Sequence, residues 1–258
     1  MSLRRCARRL LGRARDPRAG APPFPAGMDA DWRRATRLIG EVRAARLTYC
    51  GPPKLETLAA AALRVRGDGV AGLYLEAGVA LGGSAIVLAR LKPPGVPLLL
   101  FDVFAMIPPP GEKDGEDAHA RYAEINAGRS RGLGGDVYYG YVDNLLNVVK
   151  ANLGRFGIDP DAQGISFFEG LFEETLHPEG PVALAHIDCD WYDSVRVCID
   201  RIVPRLAPGG MLVFDDYSSY SGCRKAVDEL MRRDRRFEIV ASERSIALRL
   251  APDRSGAD

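Results

Sequence analysis

Gly72-Leu-Tyr-Leu-Glu76-Ala-Gly78-Val-Ala-Leu-Gly82-Gly-Ser84 decides how this chain folds. Gly72 to Glu76 is an apolar run of strand length, Ala77 to Gly83 a glycine-rich turn, and Ser84 to Leu91 reads as a helix. A strand passing through a tight turn into a helix opens a βαβ unit, the crossover that parallel strands require. Glycines in such a turn let the backbone approach a ligand and let the helix pack on the strand.

The same alternation runs outward on both sides. Upstream, Trp32, Leu38, Ile39, Val42 and Leu47 make Asp29 to Leu47 an amphipathic helix, and Leu55 to Val65 reads as a second one after Pro52-Pro53. Downstream, Val96 to Phe104 is a strand, followed by a polar, glycine-rich insert at residues 105–141 with a helix near Glu116 to Asn126. Inserts of this kind commonly serve as lids or substrate loops. A helix at Val142 to Phe156 and strands at Ile165 to Phe168 and Val182 to Ile187 come next. Tyr192 to Leu206 reads as a helix, Met211 to Phe214 as a strand, and Cys223 to Arg233 as a helix. Phe237 to Ala241 and Ile246 to Leu250, separated by a tight Ser-Glu-Arg turn, form a closing hairpin. The expected fold is α/β: a doubly wound, mostly parallel, Rossmann-like sheet of seven strands with an antiparallel C-terminal hairpin.

At 258 residues, one such domain is the expectation, spanning 29–252, with a tail at 253–258. A net charge of +1 gives no general pull toward nucleic acid or a membrane surface, and no apolar run is long enough to span a bilayer. The five cysteines form neither a C-x-x-C pair nor a closely spaced framework, which fits reduced thiols in a cytoplasmic protein. The N-terminus carries seven arginines between Arg4 and Arg18 against one acid, Asp16. Such a start suits a transit peptide or a disordered basic extension over residues 1–28; the prolines at 22, 23 and 25 favour the extension.

Chemistry gathers at two apolar runs that end in acids: Ala185-His-Ile-Asp188-Cys-Asp190-Trp-Tyr and Leu212-Val-Phe-Asp215-Asp216-Tyr. In an open parallel sheet, ligands bind beyond the carboxyl ends of the strands. Four carboxylates at that edge repel one another, and a hard divalent cation with oxygen ligands is the economical remedy. On an extended backbone, Asp188 and Asp190 share a side at i and i+2, while Cys189 points away into the core. Asp193 is placed to cap the following helix, and His186, within an apolar strand, reads as a hydrogen-bonded core histidine. The glycine-rich turn is not G-x-G-x-x-G, and Glu76 would repel a pyrophosphate. Asp102 ends the second strand where a ribose is usually gripped. A nucleoside without phosphates and with a cationic amino-acid arm fits this pair, and S-adenosylmethionine is such a ligand. Tyr138, Tyr139 and Tyr141 suit either stacking on an acceptor or stapling the insert to the domain.

Several pieces, in order, carry a family resemblance: Tyr74-Leu-Glu-Ala-Gly-Val, Gly82-Gly-Ser, Phe101-Asp-Val-Phe and Glu169-Gly-Leu-Phe-Glu-Glu-Thr-Leu176. His186-Ile-Asp-Cys-Asp-Trp-Tyr-Asp-Ser194 and Leu206-Ala-Pro-Gly-Gly-Met-Leu-Val-Phe-Asp-Asp-Tyr217 complete the set. From about Leu47 to Leu230 the chain resembles the macrocin and mycinamicin sugar O-methyltransferases, with the noviose methyltransferase of novobiocin synthesis as a further relative. The resemblance implies a class I, S-adenosylmethionine-dependent and Mg2+-dependent enzyme that methylates a hydroxyl, commonly on a sugar of a larger natural product. It puts the metal on Asp188, Asp215 and Asp216 and the general base on Asp190. The implied donor-binding set is Glu76, Gly78, Gly82, Ser84, Asp102, Gly170, Phe172 and Asp188. Its partner is then a small-molecule hydroxyl acceptor, with no nucleic acid, and a homo-oligomer is left open. Two other readings compete: a nicotinamide-dependent oxidoreductase, and a non-catalytic partner subunit on the same fold. The missing G-x-G-x-x-G weighs against the first, and the intact acid set against the second.

Overall fold

The computed structural model describes residues 27–252; the arginine-rich start and the C-terminal tail lie outside the described residues. Helices α1 (Asp29–Ala44) and α2 (Pro52–Gly67) precede the first strand. Pro52 and Pro53 stand in the first turn of α2, where a missing N–H costs nothing. The strand-turn-helix unit then forms as β1 (Leu73–Ala77) and α3 (Gly83–Leu91). β2 (Leu98–Asp102), the insert helix α4 (Glu116–Asn126) and α5 (Leu145–Arg155) follow. Next come β3 (Ile165–Glu169), the short α6 (Phe172–Thr175), β4 (Val182–Ile187) and α7 (Tyr192–Ile202). β5 (Leu206–Phe214), α8 (Ser221–Arg233), β6 (Phe237–Ala241) and β7 (Ile246–Leu250) complete the chain.

The seven strands form one sheet in the order β3-β2-β1-β4-β5-β7-β6. The first five strands pair in parallel, and β7 is antiparallel to both β5 and β6. The closing hairpin is therefore folded inward, with β7 inside and β6 at the edge. Burial along the two strands gives the reason. β7 is nearly all buried, whereas β6 alternates between half-buried and exposed positions, as an edge strand with one solvated face should.

Strand alternation divides the core between the two faces. Tyr74, Met211, Val213 and Ala247 pack with α1, α2, α3 and α5, and Leu75, Ala77, Leu212 and Phe214 pack with α7 and α8. The strand order reverses between the parallel neighbours β1 and β4, so the crevice opens beyond Ala77 and Ile187. The glycine turn follows β1, Asp102 ends β2, and the two acid pairs follow β4 and β5, so all of them meet there.

Several boundaries differ from the sequence reading; among them, β2 is Leu98–Asp102 rather than Val96–Phe104, and α2 starts at Pro52 rather than Leu55. The helix expected from Val142 starts only at Leu145, after Asn144 in a left-handed conformation. The one from Tyr192 ends at Ile202, because Pro204 turns Val203–Arg205 into a tighter 3-10 turn. β5 begins earlier than Met211, at Leu206.

Candidate active site

The glycine turn is held by close backbone approach. Gly78 has φ +91°, and a Cβ there would lie 1.8 Å from the Asp188 carbonyl oxygen, so no other residue fits. The Asp188 N–H donates to Ala77 O at 2.8 Å and ties the acid loop to the turn. Gly82, at φ +87°, faces Val149 and Leu153 of α5 and serves helix packing. Asp102 is buried and accepts three backbone N–H groups, from Val79 (2.6 Å), Ala80 (3.0 Å) and Phe104 (2.8 Å). Burial raises the Asp102 pKa despite these donors.

Glu76 is fully buried on β1 and borders neither of the two cavities at the crevice. Its Oε1 lies 2.8 Å from His186 Nδ1 on the neighbouring β4, and its Oε2 has no hydrogen-bond partner among the described residues. His186 is the hydrogen-bonded core histidine expected. Burial would lower its pKa, yet Asp215 and Glu76 outweigh burial and push it up to about 10. The imidazole therefore stays charged at neutral pH.

Beyond β4 the backbone leaves the extended conformation at Asp190, so strand alternation alone does not account for the pairing of Asp188 and Asp190. Asp190 sits in the left-handed region at φ +57°, a conformation Asp tolerates better than most residues. The turn nonetheless gathers Asp188, Asp190 and Asp216, with carboxylate oxygens within 4.8 Å of one another. A second, overlapping cluster joins Asp188 to Asp215 and Cys50. The trio Asp188, Asp215 and Asp216 is thus divided between two adjoining clusters that share Asp188. Cys189 does point into the core, with its sulfur 4.0 Å from that of Cys198.

Electrostatics separates the acids. Burial, reinforced by Asp215 and Asp216, raises the Asp188 pKa well above the carboxylate range; burial, Asp216 and Asp188 do the same for Asp190. Asp215 goes the other way: His186 and Lys54 overcome its burial and lower its pKa. Lys54, in the first turn of α2, places Nζ 2.5 Å from Asp215 Oδ2, 3.2 Å from Asp216 Oδ1 and 3.3 Å from Ser219 Oγ. Among the described residues, five carboxylates, Glu76 included, face two basic groups here, and Asp216 Oδ2 is buried without a hydrogen-bond partner.

Two cavities flank the acids. One, of about 310 Å³, is bordered by Asp102, Leu171, Phe172, Asp188 and Trp191, and suits a nucleoside. The other, of about 260 Å³, is bordered by Ser84, Lys54, Arg121, Tyr138, Tyr139 and the four aspartates. Gly78, Asp102, Asp188 and Asp190 border both. Gly170, at φ +143°, leads into α6 and positions Phe172 without bordering either cavity. The tyrosines divide their work. The Tyr141 hydroxyl donates to Ile125 O and accepts the Ser130 N–H, closing the insert on itself, while Tyr138 and Tyr139 wall the second cavity, joined by Tyr49 edge-on.

Asp193 does not cap α7. The Tyr192 N–H donates instead to Asp114 Oδ1 of the insert at 2.7 Å, and Asp117 accepts the Ser221 N–H and Oγ–H at the start of α8, both at 2.7 Å. The residues preceding these helices are Trp191 and Tyr220, whose side chains cannot cap. A helix start with an aromatic at the cap position was the available signal that caps come from elsewhere. No such signal marked Lys54, Cys50 or Arg121.

The sheet order, with a crevice lined by acids and a glycine turn, is that of the class I methyltransferase fold. The chain belongs to the macrocin-O-methyltransferase (TylF) family, whose profile matches residues 26–240. It is 32% identical over 216 residues to the 8-demethyl-8-(2,3-dimethoxy-alpha-L-rhamnosyl)-tetracenomycin-C 4'-O-methyltransferase of Streptomyces olivaceus, covering 81% of this chain and 73% of the relative. The mycinamicin III 3''-O-methyltransferase of Micromonospora griseorubida is 31% identical over 197 residues, covering 73% and 70%. The solved structure of the O-methyltransferase NovP shares the fold, with a TM-score of 0.70 at 20% identity, covering 87% of this chain and 99% of that one.

Proposed function

We propose that the protein transfers a methyl group from S-adenosylmethionine to a sugar hydroxyl of a glycosylated small molecule, assisted by a divalent cation, with Mg2+ the natural candidate. The observation that carries this reading is the convergence of carboxylates around a buried, unpartnered Asp216 oxygen. Such an atom in a site with surplus negative charge calls for a cation. The donors are oxygens from Asp188, Asp215 and Asp216, the kind a hard ion takes. Burial, with help from Asp188 and Asp215, raises the Cys50 pKa and keeps that thiol protonated beside them. The sugar reading is supported by the relatives, which are named for methylating a rhamnosyl-tetracenomycin and mycinamicin III.

A cation held there would lower the pKa of an acceptor hydroxyl that touched it. The remaining work falls to the chain. Asp190, between the two cavities, takes the hydroxyl proton as the oxygen bonds to the methyl carbon and the carbon–sulfur bond breaks. A carboxylate within reach of the acceptor oxygen can take that proton as the bond forms. Asp102, Gly78, Ser84 and Phe172 hold the donor, with Gly82 and Gly170 shaping the loops. Glu76 acts indirectly, fixing His186 and through it Asp215. Tyr138 and Tyr139 hold the acceptor sugar against the acids, in the near-linear alignment that methyl transfer requires. The cytoplasm supplies the donor, and its reducing conditions suit the four buried free thiols among the described residues.

The test is incubation with methyl-labelled S-adenosylmethionine against a panel of glycosylated metabolites. Labelled product is expected with Mg2+ and none with EDTA. Undiminished transfer in EDTA would rule out the cation, and label on no glycoside but on a free phenol would rule out the sugar.

A further inference from the structure

Lys54 is the one lysine whose ammonium reaches the site's acids, and methyl transfer as derived above gives it no task. Its side chain is 18% exposed, and its nitrogen contacts both Asp215 Oδ2 and Asp216 Oδ1. Two independent facts make this more than a surface ion pair. The contacts lie where the side chains of both acids are nearly buried, at 4% and 7% exposure. The lysine also comes from α2, a helix packed on β4 and β5 with Leu55, Leu58 and Leu63 buried in the shared core.

We propose that Lys54 is a built-in competitor for the divalent cation, holding Asp215 and Asp216 until the ion displaces it. The inference rests on the reading that these two acids ligate a metal. A divalent ion would take the same oxygens at about 2.0–2.1 Å, and an ammonium sharing them would be strongly repelled at that range. One of the two cations must leave. The lysine can, because it has a flexible four-carbon stem, it borders the cavity of about 260 Å³, and Ser219 Oγ offers a contact 3.3 Å away on the solvent side. Metal uptake and the position of Lys54 are then one equilibrium. The ammonium keeps the paired aspartates from repelling each other before the ion arrives, and it weakens apparent affinity by the fraction of molecules in which it is docked.

The experiment is a calorimetric titration with Mn2+ of the full chain and of Lys54→Met, alongside melting in EDTA. Lys54→Met is expected to bind Mn2+ about ten-fold more tightly, to melt lower than the wild type in EDTA, and to recover when Mn2+ is added. Equal or weaker Mn2+ binding by the folded variant would overturn the proposal while leaving the metal site intact. Failure of both proteins to bind Mn2+ would remove the metal reading and the proposal together. A second measurement needs no variant: acetic anhydride labelling of the wild-type lysines, mapped by mass spectrometry with Mg2+ and with EDTA. Lys54 is expected to become several-fold more reactive with Mg2+, and unchanged reactivity would overturn the proposal.

Discussion

Asp190 and Lys54 stand at opposite ends of what a sequence discloses about single residues. Asp190 was visible because it follows an apolar strand in a cluster of acids, and the position of the cluster at a sheet edge made it chemically costly. Its backbone was not visible: the left-handed φ of +57° replaces the extended geometry that would have paired it with Asp188. That conformation selects the proper test. Asn tolerates the left-handed region as Asp does, so Asp190→Asn removes the proposed base without disturbing the turn. The variant is expected to lose about 10²- to 10⁴-fold in turnover while binding S-adenosylmethionine as before, measured by product formation and calorimetry. Full activity would exclude Asp190 as the proton acceptor. Lys54 gave no sign because its partner lies 161 residues away, and nothing local in an ordinary amphipathic helix start foretells such a contact.

At the scale of elements, the strands and helices between Leu73 and Leu250 follow largely from periodicity, since apolar runs bounded by glycine and proline leave few alternatives. The exceptions arose where a longer-range contact decided the outcome. α7 and α8 have no local side-chain cap, and Asp114 and Asp117 of the insert supply the acceptors. Asp114 also accepts the Gly111 N–H at 2.9 Å, so one buried carboxylate both shapes the insert and closes the helix. Asp114→Ala is expected to cost about 1–2 kcal/mol in urea unfolding. Asp117→Ala is expected to cost less, because its exposed carboxylate competes with water. In both variants, cleavage within residues 105–141 by a dilute protease should accelerate relative to the wild type. Unchanged stability and protection would mean that Trp191 Nε1, which donates to Pro108 O at 2.9 Å, anchors the insert by itself.

On the scale of the whole molecule, the sheet order places β7 inside and β6 at the edge, although each carries one charged residue, Arg249 and Glu238. A hairpin was legible from the short turn, but its inward fold was not, because nothing local says which strand takes the inner place. Leu248 is fully buried at the centre of β7, opposite Leu212 of β5 and Ile239 of β6. Leu248→Ala is expected to destabilise the protein by about 2–5 kcal/mol, read from the urea midpoint. A loss below about 1 kcal/mol would mean that β7 does not hold the two neighbours together. The insert has a final consequence for anyone who would retarget this enzyme. Exchanging residues 105–141 for the corresponding loop of a relative, to admit a different acceptor, also exchanges the carboxylates that terminate two helices of the scaffold. The smallest portable unit is therefore the loop together with an acid at positions 114 and 117; a chimera lacking them begins with two frayed helices beside the acid cluster.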